Sequence, residues 1–240
     1  MEIFADTSDI TEITTWLRRG VLDGVTTNPS IMLRDGVRDI EKAVREIAHA
    51  LDGRPVSVEV TTSDHEDMLA EARAFAAWAP NIVAKIPIIT EEGAPCLEVI
   101  HELSREGITV NATAILSFNQ VMLAAKAGAA YMSIFAGRVA DEGHDPVRLI
   151  RLAVQWVERW RYGKILAASI RGNLDVQRAA AAGAHVITIP PAILERVLDH
   201  KYSRDTVREF NAAARLERGR ESGLTRKDDH RHEPLPRRPA

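Results

Sequence analysis

Lys85 stands in the run Ile-Val-Ala-Lys-Ile-Pro (82–87), and Glu59 in Val-Ser-Val-Glu-Val (56–60), so both charges are embedded among apolar neighbours. Burying an unpaired charge is expensive, so such residues pair with one another or perform chemistry. Desolvation disfavours the charged form of an amine and would lower the pKa of Lys85. A neutral amine attacks a ketone to form a Schiff base, and the iminium then draws electrons from an adjacent carbon–carbon bond. The competing reading is a structural lysine neutralised by Glu59 or Asp6, and this run alone does not separate the two. Asp6 and Glu59 fit the same chemistry, because imine formation and bond cleavage both need proton transfer, here through a water held by Thr113. Charge balance for Lys85 is their other reading, and the two roles are compatible.

Further polar residues end other short apolar runs. Thr26-Thr27-Asn28-Pro29-Ser30 follows the second, Asn111 and Thr113 close the fifth, Ser133 lies in the sixth, and Ser169 and Arg171 follow the seventh. Arg138, just beyond the sixth run, joins Ser169 and Arg171 as a phosphate ligand set, since a guanidinium offers forked donors that match phosphate oxygens. A single charged residue at a strand end usually just meets solvent. Seven strands feeding polar groups to one mouth indicate a site. Of the eight histidines only His144 is placed to reach that mouth, so no divalent metal site built on several imidazoles is expected.

The elements that must position these groups alternate. Strand-like runs are Glu2–Asp6, Gly24–Thr26, Val56–Val60, Ile82–Ile86, Thr109–Thr113, Tyr131–Ile134, Ile165–Ala168 and Val186–Ile189. Helical signals separate them. Ser63 with Glu66 and Ser117 with Gln120 read as capping boxes, and Asp145-Pro146 as an N-cap followed by proline at the first helical position. Gly20, Gly53, Gly107, Gly128, Gly163 and Gly183 punctuate the returns from helix to strand. Eight βα units in roughly 200 residues predict an α/β fold, a single-domain (β/α)8 TIM barrel over residues 1–202. An open doubly wound sheet is disfavoured, because Asp6-Thr7-Ser8 stands where a glycine-rich phosphate loop would follow the first strand. An additional C-terminal helix is expected over 203–216, with Val207, Phe210 and Ala214 on one face. A charged, proline-containing tail over 217–240 is expected to be poorly ordered.

The net charge of -3, from 31 basic and 34 acidic residues, offers no electrostatic case for nucleic acid or an anionic membrane. The lone cysteine, Cys96, rules out a disulfide within the chain and fits a reducing cytoplasm. The start Met-Glu-Ile-Phe-Ala-Asp has neither the basic region of a signal peptide nor an apolar span.

Several segments together resemble the transaldolase family, including its small fructose-6-phosphate aldolase branch. They are Ala-Asp-Thr-Ser (5–8), Gly-Val-Thr-Thr-Asn-Pro-Ser (24–30), Val-Glu-Val (58–60), Ala-Lys-Ile-Pro (84–87), Val-Asn-Ala-Thr (110–113), Ala-Ala-Lys-Ala-Gly-Ala (124–129), Gly-Arg-Val (137–139) and Ala-Ser-Ile-Arg (168–171), in order over residues 1 to about 200. The resemblance implies that Lys85 forms the Schiff base and that Asp6, Glu59 and Thr113 handle protons. It implies that Thr26, Asn28, Asn111, Ser133 and Phe135 line the site of a dihydroxyacetone fragment, and that Arg138, Ser169 and Arg171 bind phosphate. It also implies sugar phosphate substrates, no metal, no organic cofactor, and a homo-oligomer, a pentamer or decamer, with the C-terminal helix packed on a neighbour. Ile134, where a proline is common, and Ala114-Ile115 depart from the family pattern and leave the acceptor sugar open. Glu59 and Phe135 are the transaldolase choices at positions where the aldolase branch carries Gln and Tyr. The expected function is transfer of a dihydroxyacetone unit between sugar phosphates in the pentose phosphate pathway. The alternatives are an aldolase releasing free dihydroxyacetone, or an enzyme building an unusual sugar in secondary metabolism.

Overall fold

Strands β1 (Glu2–Asp6), β2 (Gly24–Thr26), β3 (Val56–Glu59), β4 (Ile82–Pro87), β5 (Val110–Ile115), β6 (Tyr131–Phe135), β7 (Lys164–Ala168) and β8 (Val186–Ile189) close into a barrel in sequence order, each parallel to its neighbours. The structure, a computed structural model, describes residues 1–228. Among these residues the helices are α1 (Ile10–Arg18), α2 (Pro29–Arg34), α3 (Ile40–Ala50), α4 (His65–Ala76), α5 (Leu97–Arg105), α6 (Phe118–Ala127), α7 (Ala136–Asp141), α8 (Pro146–Trp160), α9 (Asn173–Ala181), α10 (Pro191–Leu198) and α11 (Lys201–Asp228). The (β/α)8 barrel expected from the alternation of runs is therefore the fold.

Local chemistry explains where these helices begin. Asp9, Asn28, Asp39, Ser117 and Asp145 each accept a hydrogen bond from a backbone N–H in the first turn. Such a cap contributes about 1 kcal/mol. Ser117 and Gln120 form the full capping box, and Asp145 precedes Pro146 as expected. At α4 the cap is Asp64 rather than Ser63, its carboxylate accepting from the N–H groups of Glu66 and Asp67. An aspartate one residue nearer the helix outcompetes the serine because a charged acceptor also meets the positive end of the helix dipole. Five of the six punctuating glycines take positive φ, but at the end of α8 Arg161 adopts the left-handed conformation in place of Gly163.

Two hydrophobic layers hold the barrel. The larger lies between sheet and helices, where Trp16, Ile47, Met68, Ile100, Leu103, Met132 and Ile134 are almost wholly buried. The smaller fills the barrel itself. Phe4, Leu166, Ala168 and Val186 form it, with Tyr131 and Phe135 packed against it. Phe4 is 0% exposed, and such a side chain contributes about 1.5–3 kcal/mol by burial. Its ring occupies the space beside Gly24, where a Cβ would lie 2.7 Å from the ring atoms. This apolar plug is the floor on which the polar residues stand.

The chain divides into compact units at Glu195 and Arg196, slightly earlier than the expected boundary at 202. In the second unit α11 begins at Lys201 and continues to Asp228, past the expected end at Leu216. No proline lies between Lys201 and Pro234, so nothing forces the backbone hydrogen bonds to stop at Leu216. Val207, Phe210 and Leu216 are exposed along this helix. The part of the expected tail after Asp228, with His230 and His232, lies outside the described residues. No helix among the described residues is long and apolar enough to cross a membrane.

Candidate active site

Inward-facing residues of adjacent strands meet in register. Glu59 on β3 stands beside Lys85 on β4, Lys85 beside Asn111 on β5, and Asp6 on β1 beside Thr26 on β2. Lys85 is 4% exposed. Its Nζ lies 2.9 Å from Glu59 Oε2 and donates to the Thr27 carbonyl at 3.1 Å. The apolar residues that directly flank Lys85 and Glu59, namely Ala84, Ile86, Val58 and, just beyond β3, Val60, face outward and are buried in the core between sheet and helices.

Asp6 faces the same space. Burial pushes its carboxyl above the ordinary 3.8, outweighing the attraction of Lys85, the hydrogen bond from Thr26 and the attraction of Arg34. Thr26 Oγ1 donates to Asp6 Oδ1 at 2.7 Å and lies 2.5 Å from Thr188 Oγ1. The loop after β1 is held by Asp35, whose Oδ2 accepts from Thr7 Oγ1, Ser8 N and Ser8 Oγ at 2.9–3.0 Å. The Asp-Thr-Ser run thus aims a carboxylate inward with its first residue and anchors the loop with the next two.

A cavity of about 210 Å³ opens at this mouth, lined by Asp6, Thr26, Asn28, Lys85, Ser133, Phe135, Arg138, Ser169 and Thr188 over Leu166 and Ala168. It is smaller than the roughly 300 Å³ at which drug-sized sites begin, which suits a small polar substrate. Asn28 caps α2 with Oδ1, accepting from Ile31 N at 2.9 Å, which leaves its amide NH2 as the group to offer the cavity. Behind the wall, Ser133 Oγ donates to Asn111 Oδ1 at 2.7 Å and Asn111 Nδ2 donates to Ser57 Oγ at 3.2 Å, so all three side chains are oriented from below.

Thr113 is displaced from a plain strand geometry. Ala112 pairs with Met132 and Ile115 with Ile134, so β5 carries one residue more than β6 across this interval, and Ala114 takes up the excess at φ 56°. A bulge of this kind re-aims the side chain beside it. Thr113 Oγ1 is buried and has no hydrogen-bond partner among the described residues. Ser169 also holds a left-handed backbone, at φ 59°. Strain of about 1–3 kcal/mol at each such position is typical of functional sites.

The expected phosphate set divides. Arg138 and Ser169 line the cavity, whereas Arg171 forms two 2.6 Å hydrogen bonds to Asp141 and lines a neighbouring cavity of about 690 Å³ that also includes His144. Gly137 connects the two, since a Cβ there would lie 2.7 Å from both Arg171 Nε and Ser169 Oγ. Three residues were not singled out from the sequence. Thr27 acts through its backbone carbonyl, which no side-chain pattern reveals. Ser57 interrupts the valines of β3 and Thr188 the isoleucines of β8, and that break in pattern was the available signal. Among the described residues no cluster of three or more His, Cys, Asp or Glu is arranged to hold a metal ion.

The chain resembles known proteins over most of its length. The family model described as transaldolase/fructose-6-phosphate aldolase matches residues 3–230. A probable transaldolase of Dehalococcoides mccartyi is 41% identical over 213 residues, covering 88% of this chain and 97% of the relative. One of Streptococcus agalactiae is 42% identical over 211 residues, with 88% and 95% covered. One of Lactiplantibacillus plantarum is 43% identical over 201 residues, with 83% and 90% covered. Among solved structures, a mandelate oxidase variant superposes with a TM-score of 0.53 at 13% identity, covering 75% of this chain and 60% of that one, a likeness of fold alone. The match along nearly the whole chain and the identity to these relatives place the chain in the transaldolase/fructose-6-phosphate aldolase family of enzymes.

Proposed function

We propose that the enzyme transfers a dihydroxyacetone unit from a ketose phosphate, fructose 6-phosphate or sedoheptulose 7-phosphate, to an aldose phosphate through a Schiff base on Lys85. The observation that carries this reading is the buried Lys85 amine, 2.9 Å from the Glu59 carboxylate, with Asp6 in the same small cavity. Glu59 takes a proton from the Lys85 ammonium, and the amine attacks the ketone carbon. The carbinolamine loses its hydroxyl as water, with the proton returned by a carboxyl, and an iminium remains. Asp6 then accepts the proton of the donor's C4 hydroxyl. The C3–C4 bond breaks, its electron pair moves into the iminium, and an aldose phosphate leaves an enamine on Lys85.

The acceptor aldehyde is attacked by the enamine carbon, its oxygen takes the proton from Asp6, and hydrolysis of the new iminium frees the lengthened ketose and Lys85. Thr113, with its unpartnered hydroxyl, suits the water that enters and leaves. Thr26 holds Asp6, and Asn28 and Ser133 offer donors and acceptors to the fragment's hydroxyls, with Asn111 orienting Ser133 from behind the cavity wall. Arg138 and Ser169 take the phosphate, with Arg171 beside them, braced by Asp141. Phe135 gives the cavity a wall that neither donates a proton nor orders a water, so the enamine waits for an aldehyde.

The exposed Val207, Phe210 and Leu216 on α11 support a homo-oligomer with this helix as a subunit contact. The test of transfer is a screen of acceptor aldoses with fructose 6-phosphate as donor. Turnover that depends on an acceptor supports the reading, and dihydroxyacetone release without acceptor at the same rate refutes it.

A further inference from the structure

On the reading above Asp6 moves protons, so whatever sets its charge acts on the reaction. Strand β8 brings one polar side chain into the cavity. Thr188 is 2% exposed, and its Oγ1 lies 2.5 Å from Thr26 Oγ1, which is itself 2.7 Å from Asp6 Oδ1. A threonine hydroxyl carries one proton and accepts with its lone pairs. When Asp6 is a carboxylate, the Thr26 proton is directed at Asp6. The contact between the two threonines is then a hydrogen bond only if Thr188 is the donor. The polarity of the chain follows: Thr188 donates to Thr26, and Thr26 donates to Asp6.

We propose that Thr188 is a positioning residue for the reaction, the terminal donor of a hydroxyl chain that orients Thr26 and stabilises Asp6 as a carboxylate. A donor whose own oxygen accepts a hydrogen bond is polarised and binds an anion more strongly. The other charges facing Asp6 are Lys85 from β4 and Arg34 from α2, which favour the carboxylate, and Glu59 from β3, which opposes it. The chain adds to the first two against burial. In the protonated state Asp6 can carry its proton on Oδ2 and still accept from Thr26, so that state gains little from Thr188. Losing Thr188's hydroxyl therefore acts on the carboxylate and makes Asp6 harder to ionise.

Thr188→Val keeps the side-chain shape and removes the donor. The titration of the Asp6 carboxyl, followed by carbon-13 NMR in the resting enzyme and assigned against Asp6→Asn, is expected to move up by about 0.1–0.7 pH unit. That is the size of a 10–30% loss of strength in a charged hydrogen bond. The acid limb of kcat/KM moves by the same amount, and Thr188→Ser restores both. Thr188→Ala, which also lacks the donor, gives the same shift and serves should the valine variant not fold. An Asp6 titration unchanged in these variants overturns the proposal, as does an equal loss of rate at every pH. A shifted titration with an unmoved acid limb overturns the link to the reaction. Because the titration is read without substrate, that outcome locates the failure in Asp6's proposed catalytic role rather than in the hydroxyl chain.

Discussion

Glu59→Ala removes one half of an ion pair whose other half stays behind in the barrel. The Lys85 side chain is 6% exposed and that of Glu59 20% exposed, with 2.9 Å between Nζ and Oε2. Breaking a buried pair by deleting one partner costs about 3–5 kcal/mol, because the remaining charge is left uncompensated. Two features lower that figure here: the Thr27 carbonyl still accepts from Lys85 at 3.1 Å, and Asp6 still attracts it. A loss of about 2–3 kcal/mol is therefore expected, which in a protein of this size lowers Tm by roughly 4–12 °C. Lys85→Met combined with Glu59→Leu removes both charges and is expected to recover most of the loss, since apolar replacement of a whole buried pair is often neutral or better. The assay is urea unfolding followed by circular dichroism at neutral pH for wild type, Glu59→Ala and the double variant. If Glu59→Ala and the double variant are equally stable, the single loss is not an uncompensated ammonium and the reasoning fails.

Arg138→Ala is expected to cost about 2 kcal/mol with phosphorylated donors, roughly 30-fold in kcat/KM, and to spare unphosphorylated ones; Arg171→Ala should cost less, because Asp141 already engages that guanidinium. Equal losses with both donor types would make Arg138 structural. Phe135→Tyr is expected to raise dihydroxyacetone release in the absence of acceptor by supplying a hydroxyl at the cavity wall, and an unchanged rate argues that Phe135 only packs. Asp6→Asn bears on pH: a carboxyl raised in the folded state costs stability that is absent below the unfolded value, grows as pH rises from there toward the folded value, and is complete above it. The asparagine variant should thus exceed the wild type in stability at pH 7 and match it below about pH 4, and a stability difference that does not change with pH would contradict this.

Alternation of short apolar runs with capped helical segments made the barrel legible, because each strand buries both faces and each helix only one. Lys85 and Glu59 were legible for the same reason, as charges interrupting runs that must be buried. Features made by the backbone or by cross-barrel geometry were hidden. The left-handed turn at Ala114 that re-aims Thr113 is a matter of register between two strands. The engagement of Arg171 by Asp141 joins α7 to the loop after β7, and no spacing along the chain announces it. Thr188 breaks the apolar run of β8, but a threonine is at home in any strand, and it is the contact with Thr26 that gives the break its meaning.

The claim that Lys85 is the nucleophile is tested most directly by incubating the enzyme with fructose 6-phosphate, reducing with borohydride and mapping the modified peptide by mass spectrometry. A reduced ketose or dihydroxyacetone adduct is expected on Lys85, and none in a folded Lys85→Met variant. An adduct on another lysine, or one that persists in that variant at the wild-type level, would contradict the claim.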